Sequence, residues 1–398
     1  MGSKFSKKKR DRKRKGRKAK KERKESKMDV PSETVDMNKK IAQRTRRHFV
    51  EVQLEGTTYH LDDRYTLKNV LGNGAYGNVA AAHDKLTGKM VAIKRVDRLL
   101  DDETDAKRIL REIKILRHVK HANIVNLMDF FIEPKEDFNV VYIVFELMQS
   151  DLRKIIQSRN VLEKIHMQFI MYQLLCGLKY LHSAKVWHRD LKPANLLLNA
   201  NSELKICDFG LSRGVDANIE VTDYVVTRWY RAPEIMVCDS YDEKIDIWSA
   251  GCILAELHGR KPVFRGADSR DQVAEYLKVL GAQSKEDLIF ITNKHAKKFV
   301  QDFGKDLKEP ENKLPRIYAH IDKDALDLMI KMLEFNPLKR ISVEDAIEHP
   351  FFADVRKKHR ESSCQVSFDF SFEKHLKSIA DLRKEFVLEN DRYDPAKQ

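Results

Sequence analysis

His188-Arg189-Asp190-Leu191-Lys192-Pro193-Ala194-Asn195 is the stretch on which the reading of the whole chain turns. It has the form H-R-D-L-x-x-x-N and sets a carboxylate, an ammonium and an amide close together. The Asp190 carboxylate can accept or orient the proton of an attacking hydroxyl. Lys192 can neutralise a transferring phosphoryl group, and Asn195 offers an oxygen to Mg2+. Eighteen residues after Asp190 comes Asp208-Phe209-Gly210, whose carboxylate is a second hard oxygen ligand for Mg2+. Ala232-Pro233-Glu234 closes the segment. Any one of these tripeptides is common; their order and spacing together are specific.

Upstream, Leu71 precedes Gly72-Asn73-Gly74-Ala75-Tyr76-Gly77-Asn78-Val79, a G-x-G-x-x-G-x-V run. Glycines let backbone N–H groups approach a phosphate closely. Alone, the run is as well explained by a tight hairpin turn. The flanks separate the readings. A dinucleotide fold needs a helix starting within the loop, whereas here a strand pattern follows, Asn78–His83, and then Val91-Ala92-Ile93-Lys94 on the next strand. Lys94 on that strand can reach phosphates, and its acidic partner is expected on the helical stripe Ala106, Ile109, Leu110, Ile113, Leu116, where Glu112 stands.

The periodicities place these motifs in an α+β, bilobal architecture. His48–Leu61 alternates around Gly56-Thr57 and reads as a hairpin. Short strand patterns follow at Tyr65–Leu71, Asn78–His83, Met90–Val96, Leu127–Ile132 and Val140–Phe145; beyond Leu147 long helical patterns take over, at Glu163–Ser183 and Tyr241–Leu257. The expected layout is a tail at 1–27, a linker at 28–47, a β-rich lobe to about 147, a helical lobe from 148 to 352, and a C-terminal extension at 353–398. A cleft between lobes is the default ligand site.

Charge is unevenly spread. Of a net +14, residues 1–27 carry +13 from 16 Lys/Arg and three acids, which leaves +1 for the other 371 residues. The basic character belongs to a tail, so a nucleic-acid-binding fold is not expected. Met1-Gly2-Ser3-Lys4-Phe5-Ser6 fits the N-myristoylation pattern at Gly2. Tail and acyl group together suit an anionic membrane surface; nuclear import or nucleic-acid contact is the alternative reading of the basic run. Ile165–Leu178, fourteen residues without Lys, Arg, Asp or Glu, is too short to span a bilayer. Five cysteines without metal-ligand spacing fit a reducing, cytoplasmic compartment.

From Tyr65 to Phe352 the chain resembles the eukaryotic protein kinases, and finer features resemble the mitogen-activated protein kinases (MAP kinases). These are Val225-Val226-Thr227-Arg228-Trp229-Tyr230-Arg231 before Ala-Pro-Glu, the Thr222-Asp223-Tyr224 triplet at the place of a dual-phosphorylation lip, an insertion near Asp268–Phe299, and an extension with Phe368, Phe370 and Phe372 followed by Leu376, Ile379, Leu382 and Phe386. The middle Asp223 matches a T-D-Y subtype.

The resemblance implies a proline-directed Ser/Thr kinase using ATP and Mg2+. ATP would be held by Leu71, Gly72, Asn73, Gly74, Ala75, Tyr76, Gly77, Asn78, Val79, Lys94 and the hinge residues Glu146 and Met148. Catalysis would rest on Asp190, Lys192, Lys94 and Glu112, with metal at Asn195 and Asp208. Phosphates on Thr222 and Tyr224 would be received by Arg108, Arg111, Arg189 and Arg213, and by Arg228 and Arg231. Partners would be substrates with Ser/Thr-Pro sites, an upstream dual-specificity kinase and phosphatases; the Pro preference follows from a loop, held by Arg231, that offers a substrate N–H no acceptor. Several positions depart from the family pattern. Phe145 stands at the gatekeeper position, and Trp187 replaces a smaller aliphatic. Asp354-Val355-Arg356-Lys357-Lys358-His359-Arg360 is basic where the family has an acidic docking patch. Cys207 resembles a cysteine that electrophilic ATP-site ligands alkylate, and is otherwise an inert buried thiol.

Overall fold

The computed structural model describes residues 46–74, 77–214 and 228–395. Gly2, Ala75, Tyr76, Thr222 and Tyr224 lie outside the described residues.

The chain enters through a hairpin of β1 (Phe49–Leu54) and β2 (Thr57–Asp62), with Leu54 opposite Thr57. Its turn is Glu55-Gly56, at φ +47° and +79°. That is one residue earlier than the sequence suggests. A left-handed φ is costly for β-branched Thr57, so Thr57 starts the strand and Glu55 joins Gly56 in the turn.

Five antiparallel strands follow: β3 (Tyr65–Gly74), β4 (Gly77–Asp84), β5 (Met90–Val96), β6 (Leu127–Ile132) and β7 (Val141–Glu146), in the order β3-β4-β5-β7-β6. The period of two divides β5 between two faces. Val91 and Ile93 are buried in the cluster of Tyr65, Phe131 and Tyr142 beneath the hairpin, and Lys94 is turned to the other face. On that second face lies α1 (Glu103–His118). Asp102 caps it by accepting the Asp105 N–H at 2.9 Å, and Arg117 and His118 close its last turn, as the helix dipole favours.

The larger lobe begins with β8 (Ser150–Asp151) and α2 (Leu152–Gln157), then α3 (Lys164–Ser183). β8 forms a small sheet with β9 (Leu196–Leu198) and β10 (Leu204–Ile206), which frames the segment between Asp190 and Asp208. α4 (Pro233–Val237) leads to α5 (Lys244–Gly259), buried continuously from Ile245 to Leu257, as an all-round apolar helix must be. α6 (Ser269–Leu280), α7 (Lys294–Lys305), α8 (Leu314–Ile317), α9 (Lys323–Met332) and α10 (Val343–Ile347) complete the lobe. No helix among the described residues is long and apolar enough to cross a membrane.

The extension then returns to the small lobe, and α11 (Ile379–Tyr393) packs on α1 and β6. Leu376, Leu382 and Phe386 of the expected stripe are buried. Because α11 covers α1, the outward-facing charges of α1 are buried in pairs: Lys114 Nζ meets Glu385 Oε2 at 2.8 Å and Glu389 Oε1 at 2.9 Å. Arg47, read as the last linker residue, is part of this fold. It binds Asp62 at 3.0 Å and Asp129 at 2.6 Å, and donates to the Tyr393 carbonyl at 2.7 Å.

Candidate active site

Lys94 on β5 and Glu112 on α1 meet across the small lobe, Nζ to Oε2 2.8 Å. Burial works against the Lys94 charge, but Glu112 and Asp208 outweigh it and keep the ammonium protonated. Burial also raises the Glu112 pKa, against the attraction of Lys94. Val79 on β4 lies opposite Lys94 in register, so the glycine-rich strands pass directly beside it. Gly77 has φ +136°, and a Cβ there would run into the Arg95 carbonyl oxygen. Only glycine lets β4 lie this close to β5. Gly72 has open space around it, and Leu71 is exposed. The Asn78 side-chain amide donates to Thr57 Oγ1 at 3.3 Å.

Below the cleft, Lys192 Nζ donates to Asp190 Oδ2 at 2.7 Å, and the Asn195 amide N–H groups donate to the Asp190 carbonyl at 2.9 Å and to Oδ2 at 3.0 Å. Those donations turn the Asn195 amide oxygen away from Asp190, where it is available as a ligand. The Cys207 N–H donates to the Asn195 carbonyl at 3.0 Å, which ties the Asp208 segment to Asn195. Asp208 has φ +67°, a conformation Asp tolerates better than most residues. Phe209 is fully buried against the His188 ring, at 5.1 Å. Among the described residues no group of three His, Cys, Asp or Glu side chains is placed to hold a metal alone. Asn195 and Asp208 offer oxygen atoms, the donor type that suits Mg2+, which takes further ligands from phosphates and water.

At the hinge, Phe145 pairs with Ala92 across the sheet. Glu146 Oε1 accepts the Asn126 N–H at 2.8 Å and lies 3.0 Å from Lys205 Nζ, so its side chain faces away as a structural bond while its backbone remains on the cleft strand.

The six arginines separate into groups. Arg189 donates to the Leu211 carbonyl at 3.0 Å, yet its Nε, like that of Arg228, is buried with no hydrogen-bond partner. Arg231 has its pKa lowered by burial and by the neighbouring Arg228 and Arg189, against the opposing pull of Asp190. Arg108 pairs with Asp105 at 2.9 Å, and Arg213 donates to the Ser212 carbonyl at 3.1 Å. Arg111 is different: it is engaged by Glu373 of the extension. A lip phosphate would therefore have to share or displace a carboxylate from 262 residues away to use Arg111.

Two anchoring residues escaped the sequence reading. Asp246 on α5 accepts the backbone N–H of Arg189 and binds His182. Its signal was visible, as one of only two carboxylates, with Glu256, in the apolar run Ile245–Leu257. Arg340 binds Glu234 end-on through its two Nη atoms at 2.5 and 2.9 Å, with both side chains buried. No local pattern marks Arg340, since its partner lies 106 residues away. Trp187 is buried and exchanges backbone bonds with Arg213 at 2.8 and 3.1 Å.

The protein kinase domain family model matches residues 65–352. The chain is 44% identical over 350 residues to mitogen-activated protein kinase homolog NTF6 of Nicotiana tabacum, covering 87% of this chain and 94% of that relative. It is 42% identical over 350 residues to mitogen-activated protein kinase 1 of Oryza sativa subsp. japonica, covering 87% of each. To mitogen-activated protein kinase MPS1 of Pyricularia oryzae it is 46% identical over 340 residues, covering 84% of this chain and 81% of the relative. With a kinase-type cleft between its lobes and relatives matched over 81–94% of their length, the chain belongs to the mitogen-activated protein kinases and is a Ser/Thr protein kinase.

Proposed function

We propose that this kinase phosphorylates Ser/Thr-Pro sites in partner proteins and is switched by phosphorylation of Thr222 and Tyr224. The observation that carries the chemical part is the knot of Lys192, Asp190 and Asn195, at 2.7 and 3.0 Å. ATP with Mg2+, which protein kinases use, supplies the phosphoryl group and its charge neutralisation. Asp190 orients the substrate hydroxyl and takes its proton. Lys192, already on Asp190, lies ready to pair with the moving charge. Asn195 and Asp208 offer oxygens to the metal, and Lys94, fixed by Glu112, pairs with the phosphates. The glycine-rich strands cover the nucleotide, and the backbone of the hinge residues Glu146 and Met148 faces its base. Asp190→Asn tests this: nucleotide affinity stays within about threefold while turnover falls by two or more decades, a loss in the range typical of removing a general base. Comparable turnover would end the assignment.

The switch reading is supported by the unmet N–H groups of Arg189 and Arg228 and by the crowding of positive charge around Arg231. A phosphate brings nearly two negative charges and several acceptors to such a place. An upstream dual-specificity kinase would add the phosphates and phosphatases would remove them. Thr222→Ala with Tyr224→Phe should give a folded chain of low activity; full activity in that double variant contradicts the switch.

The tail reading rests on sequence: Gly2 in its acylation pattern and 16 Lys/Arg in the first 27 residues. A single myristoyl chain binds membranes with K of about 10⁴ M⁻¹. Four basic residues on an anionic leaflet would add about 4 kcal/mol. The tail thus anchors the kinase to an anionic membrane by two weak signals. Gly2→Ala, which leaves every charge, should empty the membrane fraction; an unchanged distribution with nuclear enrichment would favour import instead.

A further inference from the structure

We propose that Glu373 is a positioning residue for phosphoryl transfer, which through Arg111 sets both Glu112 and the Asp-Phe-Gly segment. The inference deepens the kinase reading above and rests on it.

Arg111 is 2% exposed, and each nitrogen of its guanidinium has a partner. Nε lies 2.5 Å from Glu373 Oε1 and Nη2 lies 2.9 Å from Oε2, while Nη1 donates to the Gly210 carbonyl. This is the fork-to-carboxylate geometry in which arginine binds most strongly and with a fixed direction. Its neighbours in sequence give the contact its reach. Arg111 immediately precedes Glu112, the partner of Lys94 at 2.8 Å. Gly210 stands two residues after Asp208. One guanidinium thus joins the helix that carries Glu112 to the segment that carries Asp208, and Glu373 closes the third side.

Glu373 is itself held in place. It lies in the turn Ser371–His375, between two anchored stretches of the extension. Before the turn, the Phe368 N–H donates to the Ala184 carbonyl at 2.8 Å, and the Phe368 ring packs on His118 at 5.4 Å. Phe370 lies so close to Gly214 that a Cβ there would be 2.7 Å from the ring. Within the turn, the Lys114 ammonium sits 5.0 Å from the Phe372 ring centre; after it, Leu376 is buried and Lys114 binds α11 through Glu385 and Glu389. A carboxylate delivered by a strap pinned on both sides is a fixed electrostatic stop for α1 and not a loose surface pair.

The arrangement also distinguishes Arg111 from Arg189 and Arg228, whose buried Nε groups have no partner. Among the described residues neither of those two is paired with a carboxylate, whereas a phosphate arriving on the lip must share or displace Glu373 to use Arg111. Glu373 therefore supplies to α1 the anion that the lip has yet to provide.

The test uses the full-length chain made without lip phosphates, with MgATP and a Ser-Pro peptide, comparing Glu373→Gln and Glu373→Asp. Glu373→Gln should lower kcat at least tenfold with KM for the peptide within twofold, and should speed amide hydrogen exchange in α1 without moving the melting temperature of the whole chain by more than a few degrees. Glu373→Asp should stay within threefold of wild type in kcat. Phosphothreonine installed at 222 during synthesis should restore Glu373→Gln, since a second anion then becomes available. If Glu373→Gln does not fold, Arg111→Lys, which keeps the charge and loses the fork, takes its place in the same measurements. A kcat within twofold of wild type, or an equal fall in both Glu373 variants with α1 exchange unchanged, overturns the proposal. Wild-type activity that ignores phosphothreonine at 222 counts against the lip switch alone; the contrast between Gln and Asp still decides the role of Glu373.

Discussion

Asp246 accepts the backbone N–H of His188 at 2.8 Å, so a buried helix of the large lobe fixes the backbone two residues before Asp190. The same carboxylate accepts the Arg189 N–H at 2.9 Å and lies 3.0 Å from His182 Nε2. Burial opposes its ionisation, but His182, His188 and the Arg189 N–H hold its pKa below the usual range. Its stabilising contribution is present above about pH 4 and is lost as pH falls through the lower folded pKa. Asp246→Asn would turn an amide N–H towards backbone donors. Unfolding free energy should fall by about 3–5 kcal/mol, in the range for breaking a buried charged network, and kcat more than tenfold. Chemical denaturation and steady-state kinetics check both, and an unchanged kcat would show that the Asp190 loop holds itself.

His258 sets an acid limit. Burial, with His320 adding to it and Asp322 opposing, pushes its imidazole down to about 4. Its Nε2 is buried with no partner. Unfolded, the ring titrates near 6.5, so between pH 6.5 and 4 the unfolded chain binds the extra proton and stability falls as pH falls. Partial exposure reduces the full linkage value to about 1–2 kcal/mol. Denaturation midpoints at pH 7.5 and 5.0 should separate less in His258→Gln than in wild type.

Cys207 should resist alkylation. Burial, then Asp208 and Glu112, push its thiol well above the ordinary range, and its S–H donates to the Asn195 carbonyl at 3.4 Å. The reactive form is the thiolate. With iodoacetamide at pH 8, Cys207 should react at less than a tenth of the rate of partly exposed Cys364, as read by peptide mass spectrometry. Equal rates would restore the electrophile-sensitive reading.

Basic docking peptides should bind weakly. Arg356 is neutralised by Glu348 at 2.7 Å and Glu361 at 2.8 Å, but Lys357, Lys358 and His359 stand exposed beside it. Replacing Lys357 and Lys358 with Asp should strengthen a Lys/Arg-rich peptide at least tenfold, with the gain shrinking in high salt. Tight binding to the unmodified chain, measured calorimetrically, would point to another acidic surface.

What was legible in the sequence was whatever is local. Met90–Val96 and Leu127–Ile132 were read to the residue, because a strand period of two and its bounding polar residues sit inside one short window. The pairing of Lys94 with Glu112 was legible because the motif fixes one partner and the helical stripe fixes the other. Arg340 with Glu234, and Arg111 with Glu373, were not: an arginine's partner is chosen by tertiary geometry, and nothing near it in sequence records the choice. Arg47 was misread for the same reason, as a charged residue at the end of a polar stretch whose three anchors lie on β2, β6 and α11.

Arg47 also determines how the molecule bears a load. Its single guanidinium ties the first described stretch of chain to the Tyr393 carbonyl near the last, with Asp129 of β6 between them. A pull on the first described residues therefore passes through that one guanidinium and is shared among β2, β6 and α11. If residues 1–27 are fastened to a surface, tension from that tether would be grounded at Arg47, and the cleft between Lys94 and Asp190 would be spared from stretching.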